Sequence, residues 1–114
     1  MKLYFAHSSE INYKEIYSAL EGSFGKDHEL ILPHKSKAVN SKDTITSCDL
    51  FIAECSLPST GMGVEIGWAN AADVPVVFVY KKGIKISSSL KFVSKEFIEY
   101  TTLSDLVEKL EKYL

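Results

Sequence analysis

Five short apolar segments alternate along this chain with segments of helical pattern, and this alternation limits the possible folds more than any other feature. The predicted strands are Lys2–His7, His28–Pro33, Asp49–Glu54, Val74–Tyr80 and Phe97–Tyr100. The predicted helices are Tyr13–Phe24, Ser41–Ser47 with Asn40 or Ser41 as N-cap, Val64–Ala72, a short helix at Ser87–Val93 and a last helix capped by Thr102. Strands that are apolar throughout have both faces covered, which is typical of a parallel sheet between two layers of helices.

The order of the strands follows from how parallel strands are connected. Right-handed crossovers on both faces give a doubly wound sheet, and with five strands the common order is 2-1-3-4-5, the flavodoxin-like arrangement. In such α/β sheets ligands bind at the carboxyl ends of the strands, where the winding direction reverses, here between strands 1 and 3. We therefore expect the functional site at the two segments that follow these strands, His7–Asn12 and Cys55–Gly63.

Composition narrows the class of protein. The 114 residues have a net charge of -2, and we expect a single domain over residues 1–114. No apolar run approaches the ~20 residues that span a bilayer, and there is no basic footprint for a nucleic acid polymer. The lack of an apolar span and of a basic footprint also predicts no membrane association. Cys48 and Cys55 flank a predicted strand and are too far apart to pair, so we expect free thiols and a cytoplasmic location.

The segment Glu54–Gly67 carries the most distinctive chemistry. Gly61 and Gly63 allow a ligand to approach the backbone, and the helix N-terminus that follows favours an anion. Ser59 adds a hydroxyl donor, and Glu65 is predicted in the first turn of that helix, pointing into the crevice. The chain contains no arginine, so a phosphate bound here would rely on backbone N–H groups, hydroxyls or lysine.

Common nucleotide-binding and metal-binding motifs fit this sequence poorly. The glycines form GxGxxxG after strand 3, whereas a dinucleotide fingerprint is GxGxxG after strand 1, and no P-loop is present. The hydroxyls after strand 1, Ser8 and Ser9, are few for an FMN phosphate loop. His7 and His34 end adjacent predicted strands, but two histidines make a poor metal site. Helix capping or dipole complementation is the alternative interpretation for Glu65 and Asp43.

The glycine-rich segment and the first strand both resemble those of a known family. The segment from Asp49 to Gly67, with the pattern D-(apolar)3-A-E-x-x-x-P-S-x-G-x-G-x-E-(apolar)-G, resembles the nucleoside 2-deoxyribosyltransferase superfamily. It is most similar to the 2'-deoxynucleoside 5'-phosphate N-hydrolase branch, and the opening segment Leu3–Ser8 also resembles that branch. The resemblance implies the same flavodoxin-like sheet.

The resemblance also implies roles for individual residues. Glu65 would be the nucleophile at the anomeric carbon, and Tyr4 would lie at the sugar. The residues implied in substrate binding around the 5'-phosphate are Ser8, Ser59, Gly61 and Gly63. A second catalytic carboxylate is expected in the helix before strand 3, where direct counting gives Ser41 and a shifted alignment gives Asp43.

Two further implications concern the partner subunit and the phosphate. A serine that enters the site of a second subunit falls at Ser88 or Ser89, so the resemblance implies a homodimer with shared active sites. Glu10 stands where the family carries an arginine, and an acidic residue beside a phosphate is unfavourable.

The predicted function is therefore cleavage of the N-glycosidic bond of a 2'-deoxynucleoside or its 5'-monophosphate, with release of the free base. A carboxylate can attack at the anomeric carbon and give a glycosyl-enzyme, which a second acceptor then resolves. Water as the acceptor makes the enzyme a hydrolase, and another base makes it a 2-deoxyribosyltransferase. A non-catalytic nucleotide-binding module is the remaining alternative. None of these requires a metal or redox cofactor.

Overall fold

The computed structural model describes residues 1–35 and 41–114, so Asn40, one of the two predicted helix caps, lies outside the described residues. Every predicted strand and helix is present. The strands are β1 (Lys2–His7), β2 (Glu29–Ile31), β3 (Leu50–Glu54), β4 (Val76–Lys81) and β5 (Phe97–Tyr100). The helices are α1 (Tyr13–Phe24), α2 (Ser41–Thr46), α3 (Thr60–Ala71) and α4 (Leu103–Glu111), with a 3-10 helix at Ser88–Phe92 between β4 and β5.

The strands form one sheet in the order β2-β1-β3-β4-β5, and every neighbouring pair is parallel. The predicted flavodoxin-like topology is thereby confirmed. The winding direction reverses between β1 and β3, whose last residues, His7 and Glu54, are register partners. The segments that follow these two strands therefore emerge side by side at the carboxyl edge of the sheet.

Two hydrophobic cores cover the two faces of the sheet. Leu3 and Phe5 of β1 pack with residues of α1 and α4 on one face. Tyr4 and Ala6 point to the opposite face, where they pack with residues of α2 and α3, because successive strand residues alternate between faces. This alternation places the buried Tyr4 beneath the two helices that flank the predicted site.

Helix α3 begins four residues earlier than the sequence pattern predicted. Ser59 is its N-cap, and the Ser59 side chain accepts a hydrogen bond from the Met62 N–H at 3.4 Å. Gly61 and Gly63 therefore lie inside the helix, and Glu65 lies in the second turn, so the prediction of Glu65 in the first turn was wrong. Glycine has low helix propensity, which obscured a helix start that is determined by the cap and by burial of Met62.

The remaining differences are small shifts at element ends. β2 keeps only three residues, and β4 begins at Val76 because Val74 and Pro75 precede the ladder. Among the described residues, no helix combines the length and the apolar character that crossing a membrane would require.

Candidate active site

A tyrosine and a carboxylate meet at the carboxyl side of the sheet. The Tyr4 hydroxyl of β1 donates a hydrogen bond to Oε2 of Glu65 on α3. The Tyr4 ring stacks on Phe51 of β3, with ring centroids 5.5 Å apart and ring planes within 5°. Tyr4 is fully buried, whereas Glu65 is half-buried. The sheet thus fixes the hydroxyl, and the hydroxyl in turn orients a carboxylate that solvent can still reach.

Burial and hydrogen bonding act in opposite directions on this pair. Burial raises the pKa of Glu65, while the hydrogen bond from Tyr4 and the charge of His34 lower it. The pKa of Tyr4 is raised, first by burial and then by its bond to Glu65, while a side-chain hydrogen bond with Ser41 opposes this rise. Tyr4 therefore remains a neutral donor, and its hydroxyl favours the ionised form of the carboxylate.

Glu65 shares one face of α3 with Gly61. Residues four apart lie on the same side of a helix, ~6 Å apart along its axis. A Cβ added at Gly61 would have no heavy atom within 4 Å, so the space beside this residue is open. The α3 N-terminus, with its positive dipole end, lies just beyond. The face thus joins an anion-favouring helix end to a carboxylate one turn away.

A cavity of about 230 Å³ runs along the other flank of the α3 N-terminus. Ser59 and Gly63 line it on one side, and Lys85 and Ser87 line it on the other. The Gly63 N–H is already bonded to the Ser59 carbonyl at 3.0 Å. Gly63 therefore offers space, and Lys85 brings a positive charge to the same cavity.

The turn after β1 is held by Ser8. Its buried hydroxyl accepts a hydrogen bond from the Glu10 N–H at 3.1 Å. Its carbonyl accepts one from Nδ1–H of His7 at 2.9 Å. The Ser8 hydroxyl retains its own proton for donation, whereas the Glu10 side chain is exposed.

Four aromatic rings form a cluster that the sequence analysis did not anticipate. Nε2 of His7 lies 2.5 Å from the Tyr17 hydroxyl, and the His7 ring stacks on Tyr13 at 4.8 Å between centroids. The His34 ring lies 4.9 Å from the rings of both His7 and Tyr13. Burial raises the pKa of Tyr17 to about 12. The sequence held one indication of this cluster: His7 ends β1 and His34 follows β2, and these two strands are neighbours in the sheet.

A buried polar network supports the loop after β3. Glu54, which is 0% exposed, accepts hydrogen bonds from the Ser56 N–H at 2.6 Å and from the Tyr100 hydroxyl. The Ser56 hydroxyl accepts a further bond from the Lys81 N–H at 2.9 Å. This network ties β3, β4 and β5 together below the α3 N-terminus. Burial raises the pKa of Cys55 to about 12, so that thiol stays protonated and is a poor nucleophile.

The remaining predicted site residues lie on the surface. Asp43 is exposed on α2, two residues after the half-buried Ser41, whose side chain is close enough to lower the pKa of Tyr4. Ser88 and Ser89 are exposed at the start of the 3-10 helix. The Ser87 hydroxyl accepts a bond from the Ser89 N–H at 3.4 Å. No group of three or more metal-ligating side chains occurs within residues 1–35 and 41–114.

The fold and these residues define a class: a doubly wound α/β protein with a hydroxyl-bound carboxylate at its topological switch point. No family model matches the chain. A putative 2'-deoxynucleoside 5'-phosphate N-hydrolase 1 from Syntrophotalea carbinolica is 36% identical over 74 residues. That match covers 60% of this chain and 52% of the relative, so the chain spans about half the length of the curated relative it matches.

Solved structures extend the comparison to the whole chain. A CMP N-glycosidase from Clostridium botulinum superposes with a TM-score of 0.77 at 26% identity and with complete coverage of both chains. A conserved protein from Enterococcus faecalis gives a TM-score of 0.70 at 18% identity, covering 100% of this chain and 99% of its own. A flavodoxin-like domain from Synechococcus gives 0.53 at 12% identity, covering 96% of this chain and 99% of its own. The last two show the fold alone.

The Syntrophotalea carbinolica relative and the Clostridium botulinum structure indicate the chemistry, because their names describe a reaction. One is named as a nucleotide N-hydrolase and the other as a nucleotide N-glycosidase. They confirm the resemblance of this chain to the nucleoside 2-deoxyribosyltransferase superfamily and to its 2'-deoxynucleoside 5'-phosphate N-hydrolase branch.

Proposed function

We propose that this protein cleaves the N-glycosidic bond of 2'-deoxynucleoside 5'-monophosphates or of 2'-deoxynucleosides, with Glu65 as the nucleophile. The observation that carries the proposal is the hydrogen bond from Tyr4 to Glu65, made at the carboxyl side of the sheet. Relatives named for the same type of bond cleavage support it.

The proposed reaction has two steps. One oxygen of the Glu65 carboxylate attacks the anomeric carbon as the bond from that carbon to the base breaks, and the base leaves with the bonding electrons. Water then adds at the anomeric carbon, the bond to Glu65 breaks, and the sugar phosphate is released. Attack requires the ionised carboxylate, which the Tyr4 hydroxyl favours by hydrogen bonding.

The 5'-phosphate would bind at the N-terminus of α3, with Ser59 and the Gly61 amide as donors. The phosphate and the anomeric carbon would then lie along the α3 face that carries Gly61 and Glu65. On the other flank of the α3 N-terminus, next to a phosphate bound at Ser59, Gly63 would contribute space and Lys85 a point charge in the cavity that all three residues line. Ser8 would donate its hydroxyl proton from the turn after β1. Hydrogen bonds to a charged group contribute about 1.5–3 kcal/mol each, so several of them can replace an arginine.

A nucleotide panel tests the proposal. Purified protein would be incubated with 2'-deoxynucleosides, their 5'-monophosphates and CMP, with and without a free base, and the released base would be measured by chromatography. We expect release of free base, with monophosphates preferred. Exchange of the base would indicate a transferase, and saturable binding without turnover would indicate a binding module. Either result would contradict hydrolysis.

Substitution of Glu65 tests the assigned nucleophile. Glu65→Gln keeps the size of the side chain but cannot form the glycosyl-enzyme, so we expect turnover to be lost while the fold is retained. Glu108→Gln, at an exposed position of α4, is the matched control and should keep full activity. Full activity of Glu65→Gln would contradict a nucleophilic or electrostatic role for this carboxylate.

We also propose a homodimer in which each site receives Ser88 or Ser89 from the partner. In support, α3 carries no charged residue other than Glu65, whereas a helix that faces solvent usually has charged and polar residues on its outer side. Val64 on this helix is nevertheless 48% exposed, and Phe92 of the 3-10 helix is 82% exposed. A second copy of the chain would cover such a surface around a two-fold axis.

Complementation tests the shared site. Glu65→Ala protein would be mixed with protein that carries Ser88→Ala and Ser89→Ala, and activity would be assayed after subunit exchange. A mixed dimer contains one site with both defects and one site with neither, so activity should return. A monomeric sedimentation profile, or dimers that show no recovery after proven exchange, would contradict the shared site.

A further inference from the structure

The proposed reaction needs a proton at the leaving base, and this inference rests on that proposed function. When the bond to the anomeric carbon breaks, the electron pair moves onto the base. An unprotonated base would leave as an anion, whereas a protonated base leaves neutral. A positioned acid typically contributes ~10²–10⁴-fold to such a step.

Several possible proton donors at or after the ends of β1 and β2, and the Tyr4 hydroxyl, already have hydrogen-bond partners. The proton of the Tyr4 hydroxyl is donated to Glu65 itself. Both ring nitrogens of the buried His7 are used, Nδ1 by the Ser8 carbonyl and Nε2 by the Tyr17 hydroxyl. The Lys35 ammonium bonds both carboxylate oxygens of Glu21, at 2.7 and 2.5 Å.

His34 differs from these groups. It follows β2 at the carboxyl edge of the sheet, and its backbone N–H is anchored by donation to the Tyr17 hydroxyl at 3.2 Å. Its ring packs against His7 and Tyr13 at 4.9 Å, yet the residue is exposed. Among the residues that the structure describes, no hydrogen bond to either ring nitrogen of His34 is found.

The position of His34 relative to the nucleophile is also suitable. Burial raises the pKa of Glu65, and the charge of His34 is among the influences that oppose this rise. The His34 ring and the Glu65 carboxylate are therefore close enough to interact electrostatically. Its ring stands at the end of β2, the strand next to β1, which carries Tyr4. A base that extends from a sugar held at Glu65 across the end of β1 would meet the His34 ring.

We propose that His34 is a catalytic residue that protonates the departing base. In the first step the Glu65 oxygen bonds to the anomeric carbon, the bond to the base breaks, and the His34 proton passes to the base. In the second step water attacks the anomeric carbon, the bond to Glu65 breaks, and the proton lost by water returns to His34. The enzyme ends each cycle with both residues in their starting states.

The test compares leaving groups that differ in their need for a proton. The first substrate is the nucleotide that the wild-type protein cleaves best. The second is the 4-nitrophenyl glycoside of the same sugar phosphate, whose phenolate departs without protonation. The corresponding 7-methylguanine nucleotide, whose base is already cationic, replaces the glycoside if the wild-type protein does not accept it. Each substrate would be assayed with wild-type protein, His34→Gln, Glu65→Gln and the control His28→Gln.

His34→Gln should lose ~10²-fold or more of kcat with the nucleotide, yet stay within about threefold of wild type with the activated substrate. Glu65→Gln should fail with both, and His28→Gln should match wild type with both. Retained nucleotide activity in His34→Gln, or an equal loss with both substrates, would overturn the assignment to His34. Absence of all turnover in the wild-type protein would instead overturn the proposed function.

Discussion

Substitution of Gly61 by alanine separates the stability of α3 from its use in binding. Gly61 lies in the first turn of α3, and an added Cβ would have no heavy atom within 4 Å. Among the described residues, the glycine with a positive φ is Gly83. The φ of Gly61 is therefore one that alanine can adopt. Gly→Ala at a compatible position stabilises by ~0.4–1 kcal/mol, mainly by restricting the unfolded chain. We therefore expect Gly61→Ala to be as stable as wild type or more stable.

The same methyl group should reduce activity. It would occupy the open space on the face that leads to Glu65, where the sugar phosphate is proposed to lie. Forcing one extra methyl group into an occupied site costs ~1–3 kcal/mol, which corresponds to a ~5–150-fold loss of kcat/KM. The loss should be larger for a monophosphate than for its nucleoside, because the phosphate binds next to this residue.

The assay combines thermal unfolding with kcat/KM for both substrates. Gly22→Ala is the matched control, because Gly22 is an exposed glycine within α1 whose added Cβ would also meet no neighbour. It should show the stability gain alone, which for a chain of this size raises the Tm by ~2–4 °C. Unchanged monophosphate activity in Gly61→Ala would refute substrate binding at this face. A loss of stability would show that the fold itself requires the glycine.

Three further variants test other contacts. Tyr4→Phe removes a hydrogen bond that lowers the pKa of Glu65, so the acid limb of the kcat/KM profile should move to higher pH. The control Tyr113→Phe, which alters a surface tyrosine bonded to Glu96, should leave the pH profile unchanged. An unchanged acid limb in Tyr4→Phe would contradict the effect of Tyr4 on Glu65. Glu54→Ala leaves the Tyr100 hydroxyl and the Ser56 N–H without their acceptor. The free energy of unfolding, measured with urea, should therefore fall by ~2–5 kcal/mol. A decrease below ~0.5 kcal/mol would contradict a structural role for Glu54. Lys85→Met should lower the preference for monophosphate over nucleoside ~10-fold or more, whereas Lys26→Met should not, and an unchanged preference would exclude Lys85 from phosphate binding.

The sequence predicted the sheet well because each strand carries its own signal. β1 and β5 have the predicted bounds, since both are short apolar runs bounded by polar residues. The strand order then followed from general rules of crossover handedness. The edge strand β2 was predicted too long, because apolar residues near an edge need not join the ladder.

The arrangement of the candidate site was predicted in part. The glycine-rich segment and the carboxyl ends of β1 and β3 indicated where it lies, and the family resemblance singled out Tyr4 and Glu65. The aromatic cluster around His34 was not predicted, because its rings come from β1, α1 and the segment after β2. These elements are distant in the sequence, so no short-range pattern predicts that their rings are in contact. The contact between Tyr4 and Glu65 likewise joins residues 61 positions apart.

The start of α3 was missed for a reason that bears on function. A helix is recognised in a sequence by one apolar face and one polar face, as in α4. This contrast is absent from α3, whose exposed positions are mostly uncharged. Met62 and Ile66 enter the core, while Gly61 and Glu65 share the face proposed for substrate. Val64 remains exposed toward the proposed partner. A surface helix used only for packing usually carries several charges on its outer side, whereas α3 carries only Glu65, which agrees with the binding roles proposed for its outer faces.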